Sequence, residues 1–249
     1  MTEAAAQVAD IGSDQPDLDP STDRYAARFQ GPAGEWLLSR QTKALLDLIG
    51  DIGPEASVLD VGGGHGQVVS PLLERGHPVT VLATSDTALG RVGALSSDRL
   101  TTQVGSILPL PFPDQQFDVV TSFRIMAHIG DWQALLAELS RVARKAVIFD
   151  FPLPGGANAL EPLLFGLKKK IEGDTRRYAT MKRSDVTDCL KDHGFQYTNH
   201  VGQFVLPMVV HRKLKQPKIS GALEGALQSI GLASSMGQPV VLRADRIKA

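Results

Sequence analysis

The fold is decided by the stretch Val58-Leu59-Asp60-Val61-Gly62-Gly63-Gly64-His65-Gly66, where an apolar run ends in a carboxylate and enters four glycines within five residues. Such a loop lets the backbone approach a ligand where any Cβ would clash. The free N–H groups at the start of a following helix would face the same ligand. In open α/β sheets, ligands bind at the carboxyl ends of the strands. The stretch therefore predicts a strand, a ligand-binding glycine loop and a helix.

The spacing of these glycines disfavours a dinucleotide. A dinucleotide fingerprint has glycines at the first, third and sixth places, but the sixth place counted from Gly62 is Gln67. A nucleotide-dependent oxidoreductase is therefore the weaker of the enzyme interpretations. The carboxylate of Asp60 suits a ligand with a cationic amino group and would repel a pyrophosphate. The alternative is that these glycines only form a tight turn and bind no ligand.

Apolar runs alternate with helical patterns along the chain, which is typical of βαβ units and a mostly parallel sheet. Right-handed crossovers would place helices on both faces of that sheet. Seven strands are predicted: Ser57–Val61, Pro78–Ala83, Leu100–Val104, Phe117–Ser122, Lys145–Phe151, Phe195–Val205 and Pro239–Ala244. Helices are predicted at Glu35–Ile49, from Ser85, at Asp131–Arg144, at Leu160–Ile171, from a Ser184 cap to Gly194, and at Ile219–Ile230.

Three segments resemble the class I S-adenosylmethionine-dependent methyltransferases, especially the small-molecule group that includes the ubiquinone and menaquinone biosynthesis enzymes. They are the glycine stretch, the run Leu110-Pro111-Phe112-Pro113-Asp114-Gln115-Gln116-Phe117-Asp118-Val119-Val120, and Ala127-His128-Ile129 followed by 132–142. The resemblance covers 56 to about 150. It implies a Rossmann-like α/β fold with a doubly wound, mostly parallel seven-stranded sheet and an antiparallel last strand. An N-terminal helix and a helical insertion after the fifth strand complete this expectation.

The resemblance also implies a cofactor, S-adenosylmethionine, with S-adenosylhomocysteine as its product. The methionine part would lie on the glycine loop, the ribose at the end of the second strand, the adenine at the end of the third, and the methyl-transfer cleft past the fourth. A lid before the first helix would reach the methionine carboxylate. The implied residues are Asp60, Gly62, Gly63, Gly64, Gly66 and Gln67; Ala83, Thr84 and Ser85; Ser106 and Ile107; Phe123 and Arg124; and Tyr25 and Arg28.

Two positions depart from the pattern of this group. The ribose-binding acid falls on Ala83 and the adenine-binding aspartate falls on Ser106, so both carboxylates are absent. Hydroxyl groups of Thr84, Ser85 or Ser106 could take their places, although Ser85 before Asp86 also fits an ordinary helix cap. These departures favour a rival interpretation, in which a relative keeps the fold but acts as a non-catalytic binding or scaffolding protein.

Methyl transfer asks the enzyme chiefly to position an acceptor, with a base only where the acceptor must lose a proton. His128 is the candidate base because it follows the fourth strand, and a histidine satisfied by its own helix is the equal alternative. His65 would act through its backbone, and His211 and Tyr178 are weaker candidates. No cluster has metal-ligand spacing. The chain has Thr121-Ser122-Phe123-Arg124 where methylases of nucleobases carry Asn-Pro-Pro-aromatic, which favours a small-molecule acceptor and disfavours nucleic acid.

Composition places the chain in the ordinary globular class, with 26 basic against 27 acidic side chains and a single cysteine, Cys189. We expect a disordered acidic tail at 1–22 and one methyltransferase domain at 23–249, with a helical lid at 23–52 and a helical insertion at 155–194. No apolar stretch is long enough to span a bilayer, so a cytoplasmic protein is expected. The basic run at 168–183 leaves an anionic acceptor or a peripheral membrane contact open. The sequence leaves the oligomeric state undetermined.

Overall fold

The computed structural model describes residues 29–63, 66–155 and 179–248. The helices are α1 (Gly31–Ile49), α2 (Val69–Glu74), α3 (Asp86–Leu89), α4 (Trp132–Val142), α5 (Arg183–Asp192), α6 (Met208–Leu214), α7 (Pro217–Ser229) and α8 (Leu232–Met236). The strands are β1 (Val58–Val61), β2 (Val79–Ala83), β3 (Leu100–Val104), β4 (Phe117–Ser122), β5 (Ala143–Phe151), β6 (Phe195–Phe204) and β7 (Gln238–Arg246). The predictions for the acidic tail at 1–22, the helix at 160–171, the basic residues at 168–177, and Tyr25, Arg28, Gly64, His65 and Tyr178 lie outside the described residues.

All seven strands form one sheet in the order β3-β2-β1-β4-β5-β7-β6. The first five strands pair in parallel, and β7 lies antiparallel between β5 and β6. The order reverses between β1 and β4, which makes their carboxyl ends the topological switch point of the sheet. The predicted α/β fold with a mostly parallel, seven-stranded sheet and an antiparallel last strand is confirmed.

Apolar side chains cover both faces of the sheet, which explains why the parallel strands are continuous apolar runs. Leu59 and Val61 of β1 pack into one core with α4 and α5, whereas Val58 packs into the other with α1 and α2. All six residues of β4 are buried. The described part of the molecule therefore has three layers, and the central strands β1 and β4, buried on both faces, leave their ends for a ligand.

Several predicted ends of elements need correction. Ser85 caps α3, which was one of its two predicted roles, and Asp131 caps α4; each side chain accepts a backbone N–H three residues ahead. Ser184 is not a cap, because α5 begins at Arg183 and the Ser184 hydroxyl donates to Asp185 instead. The first helix begins at Gly31 rather than at residue 35.

The predicted strand Phe195–Val205 ends one residue earlier than expected, and the apolar stretch that follows it lies outside the sheet. β6 ends at Phe204, and α6 begins directly after Pro207. The N–H groups of Val205 and Leu206 donate to the carboxylate of Glu224 in α7 at 2.9 Å each, so they leave the sheet for a helical insertion. This insertion between β6 and β7 consists of α6, α7 and α8.

Candidate active site

The glycine loop leaves β1 at the switch point of the sheet. The Gly62 N–H donates to the Leu82 carbonyl at 2.8 Å, which extends the pairing of β1 with β2 by one residue. Gly62 and Gly66 have φ of +74° and +71°, a conformation that favours glycine. The Gly66 N–H donates to the Gly63 carbonyl at 2.8 Å, and α2 begins three residues later.

Asp60 is buried beneath this loop and has one unused oxygen. Its Oδ1 accepts a hydrogen bond from the Thr121 hydroxyl of β4 at 2.9 Å. Its Oδ2 is buried without a hydrogen-bond partner among the described residues. A Cβ placed on Gly63 would overlap that Oδ2, so only glycine fits there. The unused oxygen therefore faces the backbone of the glycine loop.

Burial raises the pKa of Asp60 to about 7, although the Thr121 hydrogen bond and the charge of Arg124 act in the opposite direction. A carboxylate in this environment is stabilised by a cation, and a protonated amino group from a ligand would be such a cation. The arrangement thus fits the amino group that the sequence had suggested for this place.

Helix α1 lies against the glycine loop and against the end of β5. The Gln67 side-chain amide donates to the Leu38 carbonyl of α1 at 3.0 Å. The Gln41 amide of α1 donates to Asp150 Oδ2 of β5, also at 3.0 Å. α1 is therefore tied to two neighbouring parts of the site by buried or half-buried hydrogen bonds.

Arg124 follows β4 with a φ of +63°, a strained conformation for a residue with a side chain. Its N–H donates to Asp150 Oδ1 at 2.6 Å, which holds the backbone in place. Its guanidinium carbon lies 5.6 Å from the centre of the Phe29 ring. Burial raises the pKa of Asp150 to about 6, and the bonded Arg124 opposes that shift.

Gln41 and Asp150 were missed by the sequence analysis. Their contact joins residues 109 positions apart, which no local pattern reveals. One signal was available: Asp150 is the only charged residue in the apolar run 146–151. A charge at the carboxyl end of a buried strand is typical of a functional position in α/β folds.

The serine hydroxyls at and near the two positions that lack carboxylates, Ala83 and Ser106, form local hydrogen bonds. The Ser85 hydroxyl accepts the Ala88 N–H at 3.2 Å as the cap of α3. The Ser106 hydroxyl donates to the Leu108 carbonyl at 2.6 Å and accepts the Leu108 N–H at 3.0 Å. Ala83 is fully buried at the end of β2. Ser85 and Ser106 are therefore engaged by their own turns rather than held open for a ribose or an adenine.

The remaining predicted residues lie at or beside the same edge of the sheet. Ile107 and Phe123 are buried in the two apolar cores, and Thr84 is half-buried. His128 is half-buried at the end of a 3₁₀ turn, Met126–His128, and its N–H donates to the Ile125 carbonyl at 2.8 Å. Its role as a base stays a prediction.

His211, a weaker candidate, is completely buried in the β6–β7 insertion. Its Nε2 lies 3.0 Å from Glu224 Oε1, and its ring packs 5.0 Å from Trp36 and 5.8 Å from Phe204. The structure thus places it in the packing of α6 and α7 against α1. Within 29–63, 66–155 and 179–248 there is no metal-ligand cluster and no helix suited to crossing a membrane.

Comparison with known proteins identifies the domain. Residues 59–149 match the family model described as "Methyltransferase domain". Over 154 residues the chain is 29% identical to a demethylmenaquinone methyltransferase of Mycolicibacterium paratuberculosis, covering 57% of this chain and 65% of that one. Over 125 residues it is 30% identical to a sterol 24-C-methyltransferase of Gibberella zeae, covering 48% of this chain and 33% of that one. The chain thus spans between a third and two thirds of these relatives.

The fold of the described residues also matches solved structures. Magnesium protoporphyrin IX methyltransferase from Synechocystis, solved with bound S-adenosylhomocysteine, aligns with a TM-score of 0.60 at 18% identity, covering 90% of this chain and 93% of that one. The chain therefore contains a methyltransferase domain, and its resemblance to class I S-adenosylmethionine-dependent methyltransferases is confirmed. The names of these relatives and the bound S-adenosylhomocysteine of the solved structure belong to those proteins; methyl transfer and S-adenosylmethionine binding by this chain are proposed below.

Proposed function

We propose that the protein binds S-adenosylmethionine over the glycine loop and transfers its methyl group to a small-molecule acceptor. The observation that carries the proposal is the unused, buried Oδ2 of Asp60, which faces the place where a Cβ on Gly63 would lie. An ionised carboxylate buried without a partner costs several kcal/mol. The cationic amino group of the methionine part would remove that cost.

When bound, S-adenosylmethionine supplies an electrophilic methyl group on a sulfonium. The chain has to hold the donor, orient the acceptor and exclude water. In our proposal Asp60, Gly62, Gly63, Gly64, Gly66 and Gln67 hold the methionine part. Arg124 and Phe123 border the cleft in which the acceptor lies, and Tyr25 and Arg28 would act as a lid that reaches the methionine carboxylate.

In this proposal the ribose and the adenine of the cofactor are held without the two carboxylates that the related methyltransferases use. Ala83, Thr84 and Ser85 would contact the ribose, and Ser106 and Ile107 the adenine, without a carboxylate at either place. Because the Ser85 and Ser106 hydroxyls are engaged by their own turns, backbone groups and apolar contact would supply most of the binding there. We expect weaker binding of the nucleoside than a carboxylate pair would give.

His128 is proposed as the base for acceptors that must lose a proton. Asp150 is not proposed for this role, although it is buried near the site. Both of its oxygens already accept hydrogen bonds, from the Arg124 N–H and from Gln41. Asp150 is better suited to hold the strained backbone at Arg124, which makes it a positioning residue.

The acceptor is proposed to be hydrophobic or anionic. A sterol and demethylmenaquinone appear in the names of the two relatives, and both are apolar compounds. The Arg124 guanidinium beside the cleft would favour an anionic group. A nucleic-acid acceptor is not proposed, and the cytoplasmic location stays a prediction.

The alternative is a binding or scaffolding protein that keeps the fold without turnover. The specific observation in its favour is that Ala83 and Ser106 stand where carboxylates are expected, while the hydroxyls of Ser85 and Ser106 are engaged by their own turns. This alternative predicts a folded protein that transfers no methyl group under any condition.

The experiment incubates the protein with methyl-labelled S-adenosylmethionine and a protein-free cell extract, and measures label in water-soluble and solvent-extracted fractions. Gly63→Ala should abolish transfer, because its methyl group would overlap Asp60. Gly53→Ala is the matched control, since a Cβ there meets nothing within 4 Å. If wild type and the Gly53→Ala control both transfer more label than Gly63→Ala does, the enzyme proposal is supported. If wild type transfers no more label than Gly63→Ala in any fraction, the scaffolding alternative is supported.

A further inference from the structure

Helix α7 buries polar side chains and exposes apolar ones, which is the opposite of most surface helices. Ser220 and Glu224 are buried, with 0% and 1% of their surface exposed. Ile219 and Leu223 are 49% and 42% exposed, and Ile230, directly after the helix, is 70% exposed. Ordinary surface helices bury their apolar stripe and expose their polar face.

The exposed apolar residues share one face of α7. At about 100° per residue, Ile219, Leu223, Ala226 and Ile230 fall within an arc of roughly 60°. Ser220 and Glu224 lie on the side that packs against the domain. The apolar stripe of α7 (Ile219, Leu223, Ala226 and Ile230) is therefore continuous and directed outward.

Glu224 fixes this orientation. Its carboxylate accepts the N–H groups of Val205 and Leu206 at 2.9 Å each and lies 3.0 Å from His211 Nε2. Rotating α7 to bury the apolar stripe would break all three contacts of a buried carboxylate, which costs more than the exposed apolar area. The outward direction of the stripe is thus built into the packing.

The exposed charges of the same insertion are positive. Between 205 and 237 the only carboxylate is Glu224, which is buried. Lys213, Lys215 and Lys218 are exposed and form no ion pair within the described part of the chain. The chain as a whole has a net charge of −1, so this surface is locally cationic against a balanced background.

Neighbouring helices add to the apolar surface. Met208 at the start of α6 and Met236 at the end of α8 are 37% and 40% exposed. Five of the eight large hydrophobic residues exposed in the described ranges therefore belong to this one insertion. Such a concentration marks an interaction surface rather than scattered exposure.

We propose that the β6–β7 insertion docks on the surface of an anionic phospholipid bilayer. α7 would lie in the plane of the interface, with its apolar stripe in the acyl boundary and Lys213, Lys215 and Lys218 at the phosphates. Apolar residues flanked by cations without accessible acids are what such a surface binds. A second copy of the chain fits less well, because a symmetric interface would bring lysines against lysines. The inference is independent of the proposed methyl transfer.

The experiment measures co-sedimentation with vesicles of phosphatidylcholine alone and of phosphatidylcholine with phosphatidylglycerol. Wild type should bind the anionic vesicles and lose binding as salt is raised. The double variant Ile219→Gln/Leu223→Gln should lower the vesicle partition coefficient at least about tenfold, because two apolar side chains that would enter the acyl boundary are replaced by polar ones. Ile247→Gln is the matched control, because Ile247 is 48% exposed and follows β7; it should change binding less than about twofold.

Circular dichroism establishes that each variant is folded, and Ile230→Gln beyond the helix end serves as a second variant. The proposal is overturned if folded wild type binds neither vesicle, or binds both equally. It is also overturned if the stripe variants bind as tightly as Ile247→Gln. If the protein binds no vesicles but forms a concentration-dependent dimer that the stripe variants abolish, the surface belongs to a second copy of the chain. If it binds only an acidic protein, the bilayer proposal is also overturned.

Discussion

Asp60 combines two properties that oppose each other. It lies beneath a loop in which a Cβ on Gly63 would overlap its carboxylate, and its buried Oδ2 has no hydrogen-bond partner in the described residues. Burial raises its pKa to about 7, so near neutral pH it is partly protonated. A group arranged for ligand binding thereby destabilises the ligand-free fold, which is typical of functional sites.

The pH dependence of Asp60→Asn tests this conflict. The folded pKa of about 7 exceeds the ordinary value of 3.8, so the folded state holds the proton more tightly than the unfolded state. Stability from this group is present below about pH 4 and is lost as the pH rises towards 7. The side-chain amide of the variant cannot ionise and still accepts the Thr121 hydroxyl. At about pH 8 we expect the variant to be more stable than wild type by roughly 1–3 kcal/mol.

Urea unfolding at about pH 5 and pH 8 checks this expectation. The advantage of Asp60→Asn over wild type should shrink towards pH 5, where wild-type Asp60 is protonated. Asp131→Asn, a change of the same type at an exposed helix cap, should show no such dependence around neutral pH. Equal destabilisation by Asp60→Asn at both pH values would contradict a buried, ligand-seeking carboxylate.

At this scale the sequence predicted what a local motif carries. The Asp60 carboxylate and the glycine loop follow from spacing alone, and the Ser85 cap follows from one dipeptide. The link from Gln41 to Asp150 and the turn closed by Ser106 could not be predicted, because both depend on where distant or neighbouring backbone groups lie after folding.

Helix α4 holds the loop that follows β3. The Arg141 guanidinium donates to the carbonyls of Leu110 and Phe112 and to the carboxylates of Asp114 and Glu138. Glu138 in turn accepts the Leu110 N–H at 2.7 Å. Hydrogen bonding by Arg141 lowers the pKa of Glu138 despite partial burial. One side chain of α4 thus holds the loop between β3 and β4 close to the amino end of β4.

Replacing Arg141 by Met should loosen this loop. The variant loses several hydrogen bonds and leaves Glu138 without its cation, so we expect unfolding to become easier by about 1–3 kcal/mol. Amide hydrogen exchange at Leu110 should accelerate more than exchange in β4. Lys191→Met is the control, because its pair with Asp188 is exposed and contributes little. Unchanged exchange at Leu110 in Arg141→Met would contradict the role given to α4.

The alternation of apolar runs predicted the strands to within about two residues, because burial on both faces leaves a strong pattern. The rule does not explain why the apolar stretch that continues past Phe204 to Val210 lies outside the sheet. That stretch is apolar enough for a strand, but Pro207 has no N–H for a sheet and the buried Glu224 captures the two preceding N–H groups. A carboxylate 18 and 19 residues away decided the outcome.

At the scale of the whole molecule, the three buried carboxylates on the strands of the described sheet lie at opposite ends of those strands. Asp118, near the amino end of β4, bonds with Lys145, Arg144 and the Ser57 N–H. Burial alone would raise the pKa of Asp118, but these partners lower it to about 2. At the carboxyl edge the pKa values of Asp60 and Asp150 are raised instead. The carboxylate of Asp118 thus has its partners within the protein, whereas Asp60 at the carboxyl ends of the strands keeps an oxygen that a ligand would bind.

Topology at this scale was predictable from alternation together with the resemblance. The acceptor was not, because the segments that would border the cleft carry no recognisable motif. The outward apolar stripe of α7 was equally hidden: Ile219 and Leu223 have the spacing of a core face, and only the burial of Glu224 turns them to the outside.

The most direct test of the central claim is calorimetric titration with S-adenosylhomocysteine at about pH 6 and pH 8. It compares wild type, Asp60→Asn and the Gly53→Ala control. With a pKa of about 7, Asp60 is roughly a tenth ionised at the lower pH, so wild type and control should bind about tenfold more weakly there. Asp60→Asn should bind weakly at both. Tight binding by Asp60→Asn, or no binding by wild type up to millimolar ligand, would contradict the account.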